Sequence, residues 1–158
     1  MSSPYINDQA ARAKTAALLG RLLADSYIIY LKTQGFHWNV VGPQFEPLHT
    51  LFQDQYTELA QAIDEIAERI RALGVKAPGS FSEFQALTSI SEEIGAPAAD
   101  TMISQLLSDH TTASRTALQV VKESETQGDV ATADLATQRV MQHEKTAWML
   151  NSLLQRSK

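Results

Sequence analysis

Two histidines twelve positions apart are the residues of this chain best suited to bind a transition metal. His37 and His49 flank a chain reversal at Gly42 and Pro43 in the stretch GFHWNVVGPQFEPLH. Neutral imidazole is a common ligand for iron, copper and zinc. The alternative is a packing or surface role at the end of a helix, and for either histidine taken alone that interpretation is preferred.

Two acidic residues further along the chain could supply oxygen ligands. Asp64 and Glu68 are four positions apart in DEIAERI, so on a helix their carboxylates lie on one face, about one turn apart. Together with the two imidazoles they would form a metal site with nitrogen and oxygen ligands. The alternative is a solvated helix face, which the spacing alone favours, because acidic pairs of this kind are common on helix surfaces.

Helix geometry limits how these four residues could meet. His49 and Asp64 are fifteen residues apart, roughly 22 Å along one helix axis, so they cannot bind the same ion within one chain. His37 can approach His49, because the turn at Gly42 and Pro43 folds one helix end beside the next helix start. A shared site therefore requires Asp64 and Glu68 of a second subunit. A two-fold axis near residues 57 and 58 would create two equivalent sites per dimer.

Four long segments carry apolar residues at helical spacing and are predicted to be helices. The first runs from about Asn7 to Thr33 and could extend through His37. The second ends near Gly74, the third runs from Ala98 to about Glu125, and the fourth from about Val130 to Leu154. The second helix has one continuous apolar stripe, made of Leu48, Phe52, Tyr56, Leu59, Ile63, Ile66, Ile70 and Leu73.

The connections between these segments predict their arrangement. Residues 75–95 form a long connection, and its segment SFSEFQAL predicts one short helix, because Ser80 and Glu83 have the spacing of a capping box. The other two connections are short, which favours antiparallel neighbours. The prediction is an all-α fold: a ferritin-like four-helix bundle with a short extra helix in the long crossover between helices two and three. Residues 1–158 are predicted to form a single domain.

Composition excludes several classes of function. The chain has 158 residues, no cysteine and a net charge of −5. It therefore has no disulfide framework, thiolate metal site or cysteine nucleophile, and it lacks the glycine motifs of P-loop, dinucleotide and nucleophile-elbow enzymes. The N-terminus does not resemble a secretory signal, and Arg21 and Asp25 interrupt the most apolar stretch. A cytoplasmic protein without membrane spans is expected.

At these motifs the chain resembles the Dps family (DNA-binding protein from starved cells), the mini-ferritins. The resemblance rests on FHWNVVGPQFEPLH, on DEIAERI after the appropriate interval, and on the helix order, and it spans essentially the whole chain. It implies a ferroxidase centre at a dimer interface, with His37 and His49 from one chain and Asp64 and Glu68 from its neighbour as the catalytic and metal-binding residues. It also implies a hollow dodecamer that oxidises Fe(II), preferably with hydrogen peroxide rather than oxygen, stores the ferric iron and protects against oxidative damage.

One residue departs from the family pattern. The family commonly has an acidic residue four positions after the second histidine, where this chain has Gln53. A neutral amide is a weak ligand, so one firm iron position and one weakly occupied position are expected; Asp54 is rotated by about 100° and cannot substitute. Trp38 is interpreted either as packing against the site and intercepting radicals or as a half-buried aromatic anchor. Zinc is a competitor to consider at the same ligands.

The last helix suggests an entrance for iron. Asp134 and Glu144 match acidic positions of the three-fold pores in the family, and Asp129 lies close by; ordinary helix-surface charge is an equally favoured alternative. His110 and His143 have no obvious partner in the sequence, and surface or packing roles are preferred for both. Trp148 is predicted to lie in the core or at an interface.

Two other functions compete with iron oxidation. A DNA-condensing protein would use a basic tail, but the chain termini offer only Arg12, Lys14, Arg156 and Lys158. Weak or absent DNA binding is therefore expected, and strong retention in a low-salt gel shift would overturn that expectation. The other alternative is a structural cage in which Gln53 marks a weakened ferroxidase centre.

Overall fold

The computed structural model describes residues 8–155, within which five α-helices follow one another along the chain. They are α1 (Gln9–Asn39), α2 (Phe45–Ala72), α3 (Phe81–Leu87), α4 (Ala99–Thr126) and α5 (Val130–Leu154). The four long helices and the short one are all confirmed, and α1 does extend through His37. Asn7, Arg156 and Lys158 lie outside the described residues.

The helix boundaries follow from local chemistry. Gly74 and Gly128 have positive φ angles of 85° and 70°, a conformation that glycine adopts at little cost, and they end α2 and α4. At the start of α5 the Asp129 side chain accepts a hydrogen bond from the Thr132 backbone N–H. The α4–α5 connection is therefore short, which places these two helices side by side.

The short helix α3 begins with the predicted capping box. Ser80 Oγ accepts from the Glu83 backbone N–H, and the Glu83 carboxylate accepts from Ser80 Oγ and the Gly79 backbone N–H. Hydrogen bonds from Lys76, Ser80 and Gly79 lower the pKa of Glu83 to about 2. The cap thus fixes where the crossover turns into a helix.

The long helices form two helical hairpins that pack together. In one, α1 packs on α2; in the other, α4 packs on α5; α1 also packs on α4 and on α3. The long connection between α2 and α4 crosses the bundle and carries α3. This arrangement confirms the predicted all-α four-helix bundle with a short extra helix in the crossover.

The core consists of two apolar clusters at successive levels of the bundle. The α2 stripe contributes to both, with Leu48, Phe52 and Leu59 in one cluster and Ile66 and Ile70 in the other. The α1 pattern is less simple than its sequence suggests. Ala13 and Ala17 are exposed, whereas Thr15 and Ala16 are buried, because α1 has neighbours on several sides.

Buried polar groups connect the crossover to the bundle. Asp25 on α1 is fully buried, and its carboxylate accepts hydrogen bonds from Thr88 Oγ1, the Ser89 backbone N–H and Thr116 Oγ1, at 2.8, 2.6 and 2.8 Å. One side chain therefore joins α1, the crossover and α4. A residue that interrupts an apolar stretch in the sequence acts as an internal anchor in the fold.

A second buried contact lies about two turns further along α1. Lys32 Nζ contacts Asp109 Oδ2 at 2.8 Å and donates to the Ser91 carbonyl oxygen at 2.9 Å. Burial raises the pKa of Asp109, against the opposing effect of Lys32.

Within residues 8–155, no helix is both long enough and apolar enough to cross a bilayer.

Candidate metal centre

His37 and His49 meet at the α1–α2 junction. Their rings stack with centroids 3.7 Å apart and planes 13° apart. His37 is buried in the last turns of α1, whereas His49 is partly exposed in the second turn of α2. The turn after α1 includes Gly42 at φ 114°, which reverses the chain and brings the two helix ends together. The predicted convergence of the two histidines within one chain is therefore present.

Two reciprocal hydrogen bonds fix the orientation of these rings. His37 Nδ1 lies 2.6 Å from the His49 carbonyl oxygen, and His49 Nδ1 lies 2.7 Å from the His37 carbonyl oxygen. A carbonyl oxygen can only accept, so each Nδ1 carries the proton and donates. In the neutral rings both Nε2 atoms consequently keep their lone pairs, which is the state that a metal ion needs.

Aromatic side chains surround the two imidazoles. Phe45 stacks on His49 with a centroid distance of 5.0 Å, and Tyr56 meets His37 edge-on at 5.2 Å. Both distances lie in the range of favourable aromatic contacts, about 4.5–7 Å. These rings limit the rotation of the imidazoles, so the histidines are pre-oriented without a metal ion.

Asp64 and Glu68 lie on the exposed surface of α2. Neither carboxylate takes part in a hydrogen bond or ion pair with any residue of 8–155. The nearest basic residue in the sequence, Arg69, is held by α5, because its guanidinium contacts Asp129 Oδ1 at 2.8 Å and Thr132 Oγ1 at 2.7 Å. The acidic pair is thus free to bind a cation.

The four predicted ligands do not come together in one chain. His49 and Asp64 lie on the same uninterrupted helix, α2, and fifteen residues correspond to roughly 22 Å along it. No group of three or more potential His, Asp or Glu ligands forms anywhere in residues 8–155. A site made of all four residues would therefore need two chains.

Gln53 lies one turn after His49 on α2 and is exposed, as is Asp54. No hydrogen bond within the described residues fixes the Gln53 amide. Trp38 is 61% exposed in the single chain, and both interpretations of it stay predictions. Trp148 is 67% exposed and does not lie in the core of the chain, which leaves the interface interpretation as a prediction.

The three acidic residues proposed for the iron entrance, on α5 or immediately before it, differ in their surroundings. Asp129 is fully buried, and its carboxylate accepts hydrogen bonds from the Thr132 backbone N–H and the Arg69 guanidinium. Burial opposes its ionisation, but hydrogen bonds from Thr132 and Arg69 hold the pKa of Asp129 below its usual value. Asp134 and Glu144 are exposed, and Asp134 accepts a hydrogen bond from Gln138 at 3.0 Å. Of the three pore candidates, only these two present carboxylates to solvent.

Comparison with known proteins identifies the family. The model of the ferritin-like domain family matches residues 16–158. The DNA protection during starvation protein 2 of Bacillus anthracis is 35% identical over 137 residues, which cover 87% of this chain and 94% of that protein. This chain belongs to the Dps family of ferritin-like proteins. An uncharacterized low temperature-induced protein of Nostoc sp. is 41% identical over 140 residues, covering 87% of this chain and 78% of the relative.

Solved structures support the same assignment. The Dps protein of Vibrio cholerae O1, a member of a broad superfamily of ferritin-like diiron-carboxylate proteins, superposes with a TM-score of 0.91 and 30% identity, over 98% of this chain and all of that one. Antigen TpF1 of Treponema pallidum gives a TM-score of 0.92 at 29% identity, with coverage of 98% and 100%. The predicted ferritin-like fold and the resemblance to Dps proteins are both confirmed.

This Dps chain also contains a second histidine pair that sequence reasoning missed. His110 on α4 and His143 on α5 are buried, and their Nδ1 atoms lie 2.9 Å apart. Neither histidine has an obvious partner in the sequence, whereas in the fold each is the other's neighbour. The sequence does contain an indication of this pairing, because His110 and His143 lie at similar distances along the chain from the Gly128 turn of an antiparallel hairpin. Within residues 8–155 their Nε2 atoms have no hydrogen-bond partner.

We expect this second pair to make the Dps fold sensitive to acid. Burial, and then the charge of Arg139, lower the pKa of His110 to about 3, and burial together with His110 and Arg139 lowers that of His143. An unfolded histidine titrates near 6.5, so stability is full above that pH and falls as the pH decreases towards 3. Between pH 7 and 5 the loss from His110 should reach up to about 2 kcal/mol, and His143 changes the stability in the same direction.

Urea unfolding at fixed protein concentration, followed by circular dichroism at pH 7 and pH 5, would measure this loss. The double variant His110→Leu/His143→Leu removes both titrating groups together and should show a much smaller difference between the two pH values. An equal difference in both proteins would assign the acid sensitivity to other groups.

Proposed function

We propose that this Dps protein oxidises Fe(II) at sites shared between two subunits and stores the ferric product in a hollow dodecamer. His37 and His49 of one chain and Asp64 and Glu68 of its neighbour bind the iron that is to be oxidised. The observation that carries this proposal is the reciprocal contact of the two imidazoles with each other's backbone carbonyls, which leaves both Nε2 atoms available. Iron is the substrate here, and residues 37, 49, 64 and 68 supply its ligands.

The acidic pair supports the same proposal. Asp64 and Glu68 are exposed, lack partners in the described chain and lie too far from His49 to act within one subunit. A two-fold axis across the middle of α2 brings the start of one α2 beside the later turns of the other, which completes two sites at once. A carboxylate that becomes buried in a subunit interface without a partner destabilises that interface. A cation shared between the two subunits removes this penalty.

Hydrogen peroxide is the proposed oxidant. Two Fe(II) ions give one electron each to one peroxide molecule, whose O–O bond breaks to form two water molecules with protons from solvent. Peroxide that receives both electrons within the site releases no hydroxyl radical. Such a reaction would protect a cell from the damaging mixture of free iron and peroxide.

Iron entry is proposed at the exposed carboxylates of α5. Asp134 and Glu144 are available for this role, whereas Asp129 is occupied by Arg69 and Thr132. The net charge of −5 favours the approach of cations and disfavours DNA, so DNA condensation is not part of the proposal. Zinc, which binds the same imidazole and carboxylate ligands, is expected to compete with Fe(II).

Stopped-flow absorbance tests the proposal directly. Anaerobic protein loaded with Fe(II) and mixed with hydrogen peroxide should form ferric product much faster than the same iron in buffer. Prior addition of one equivalent of Zn²⁺ per subunit should slow the reaction, because zinc occupies the ligands and has no redox chemistry. Iron that oxidises at the buffer rate would identify the protein as an inert cage.

Gln53→Glu should convert a weak second iron position into a firm one. The change is nearly isosteric at an exposed position, so the fold should tolerate it, while the new carboxylate one turn after His49 offers a charged oxygen ligand. Anaerobic calorimetric titration with Fe(II) is expected to show about one tight equivalent per subunit in the wild type and more in the variant.

The exposed Gln85 on α3 provides a charge-matched control. Gln85→Glu adds the same negative charge elsewhere and should leave the Fe(II) stoichiometry unchanged. An identical stoichiometry for wild type and Gln53→Glu would show that position 53 does not contact iron.

A further inference from the structure

Three tyrosine rings form a continuous run that begins at His37. The His37 and Tyr56 centroids lie 5.2 Å apart, those of Tyr56 and Tyr30 lie 6.0 Å apart, and those of Tyr30 and Tyr27 lie 5.8 Å apart. All three contacts are edge-on and within the usual range of aromatic pairs, about 4.5–7 Å. The run therefore connects the candidate metal centre to the middle of α1.

Helix spacing builds this run. Tyr56 follows His49 by seven residues, two turns along α2, and so lies on the same face as that histidine. Tyr27 and Tyr30 are three residues apart on α1 and are neighbours on its surface. The α1–α2 hairpin that pairs the histidines also places Tyr30 against Tyr56.

The run ends among rings that are hard to oxidise. Tyr27 stacks on Phe84 at 4.8 Å and meets Phe81 at 6.3 Å, where α3 packs on α1. Phenylalanine lacks the hydroxyl that makes tyrosine an electron and proton donor. Tyr27 is therefore the last oxidisable ring, and it lies three rings away from His37.

The three phenol groups have no hydrogen-bond partner in the part of the chain that the structure describes. All three side chains remain partly exposed. Three of the four tyrosines of the chain belong to this run. Packing alone needs only the rings, since phenylalanine would fill the same space without a polar group to hydrate.

The number of electrons that peroxide reduction needs indicates a role for the three tyrosines, and this role rests on the proposed function. Reduction of hydrogen peroxide to water takes two electrons, whereas one Fe(II) supplies one. With Gln53 in place of an acidic residue, only one iron position is firm, so the second electron is missing at the moment the O–O bond breaks. We propose that Tyr56 donates this second electron and that Tyr30 and Tyr27 carry the oxidising equivalent away from the iron.

The reaction balances without any further reagent. Fe(II) is oxidised to Fe(III) and peroxide is cleaved to hydroxide and a hydroxyl-radical equivalent. Tyr56 transfers one electron and its phenol proton to that equivalent, which forms water and a neutral tyrosyl radical. The next Fe(II) to enter reduces the radical, and a proton from solvent restores the phenol. The sum is the oxidation of two Fe(II) by one peroxide.

Rapid-freeze electron paramagnetic resonance tests the relay. Protein loaded anaerobically with less than one Fe(II) per site is mixed with hydrogen peroxide and frozen. The wild type should show a narrow organic radical signal, and Tyr56→Phe, which keeps the ring and the packing, should lose most of it. A spin trap in solution should collect severalfold more hydroxyl adduct from Tyr56→Phe than from the wild type.

Tyr27→Phe is the matched control, because it removes the same hydroxyl at the far end of the run. It should keep the early radical at Tyr56 and the low spin-trap yield. Peptide mass spectrometry after repeated turnover should find oxidation at Tyr27 in the wild type and at Tyr30 in Tyr27→Phe.

The outcomes separate the relay from the function on which it rests. Rapid iron oxidation without an organic radical, or with an undiminished radical in Tyr56→Phe, would overturn the relay and leave the ferroxidase proposal in place. Iron that oxidises at the buffer rate in every protein would overturn both. Loss of the radical only in Tyr56→Phe, at normal assembly and circular dichroism, would establish the relay.

Discussion

Two inactive variants are expected to restore iron oxidation when their subunits are mixed. His37→Asn/His49→Asn removes both Nε2 ligands, while the asparagine amide can still donate to the carbonyl oxygens that hold the rings. Asp64→Asn/Glu68→Gln removes the negative charge of the acidic pair with little change of shape. Each assembled variant alone should oxidise Fe(II) with peroxide at the buffer rate, because every site lacks two ligands.

A mixed dimer contains one complete site. The chain with intact histidines meets the chain with intact carboxylates, and the opposite site of the same dimer lacks all four ligands. Random pairing of equal amounts should therefore return about one quarter of the wild-type sites. Co-expression of the two chains with different affinity tags, followed by selection for both tags, gives the sample, and stopped-flow absorbance gives the rate.

This experiment distinguishes a shared site from any site within one chain. If His37 and His49 acted with ligands of their own subunit, mixing would leave every site defective and the rate unchanged. Wild-type subunits mixed with either variant provide the control for exchange, because their activity should follow the fraction of complete sites.

Local pattern predicted much of the fold. Gly74, Gly128 and the Ser80–Glu83 box set helix ends through backbone conformation and capping, which depend on neighbouring residues alone. The pairing of His37 with His49 followed from one turn. Such features need no knowledge of distant contacts, and the sequence is sufficient for them.

Features that depend on packing between distant segments were not visible in the sequence. Asp129 is acidic and lies beside the start of the last helix, as a pore residue would. The fold, however, places Arg69, sixty residues earlier in the chain, against it. His110 and His143 seemed unpaired because their contact crosses two helices. Exposure of Trp38 and Trp148 in the single chain likewise reflects three-dimensional packing, which helical periodicity does not specify.

Asp25 is predicted to make a large contribution to the stability of the bundle, because three hydrogen-bond donors converge on its buried carboxylate. Replacement by alanine would leave three donors without an acceptor inside the protein: Thr88 Oγ1, the Ser89 backbone N–H and Thr116 Oγ1. An unsatisfied buried polar group costs about 1–3 kcal/mol, and partial relaxation keeps the sum below three full penalties. We expect Asp25→Ala to lower the free energy of unfolding by about 3–5 kcal/mol.

Asp25→Asn is the matched variant that tests this reasoning. Its remaining oxygen can accept from Thr88 and Ser89 as Oδ1 does now, and Thr116 Oγ1 can turn to accept from the new amide while it donates to the Thr112 carbonyl oxygen. Its loss should therefore be much smaller than that of alanine. Urea unfolding at one protein concentration measures both, and equal losses would show that the cost comes from the missing charge rather than from the unsatisfied donors. Because Asp25 lies more than three turns before His37 on α1 and contacts neither histidine, a folded Asp25→Asn protein should keep its wild-type rate of iron oxidation.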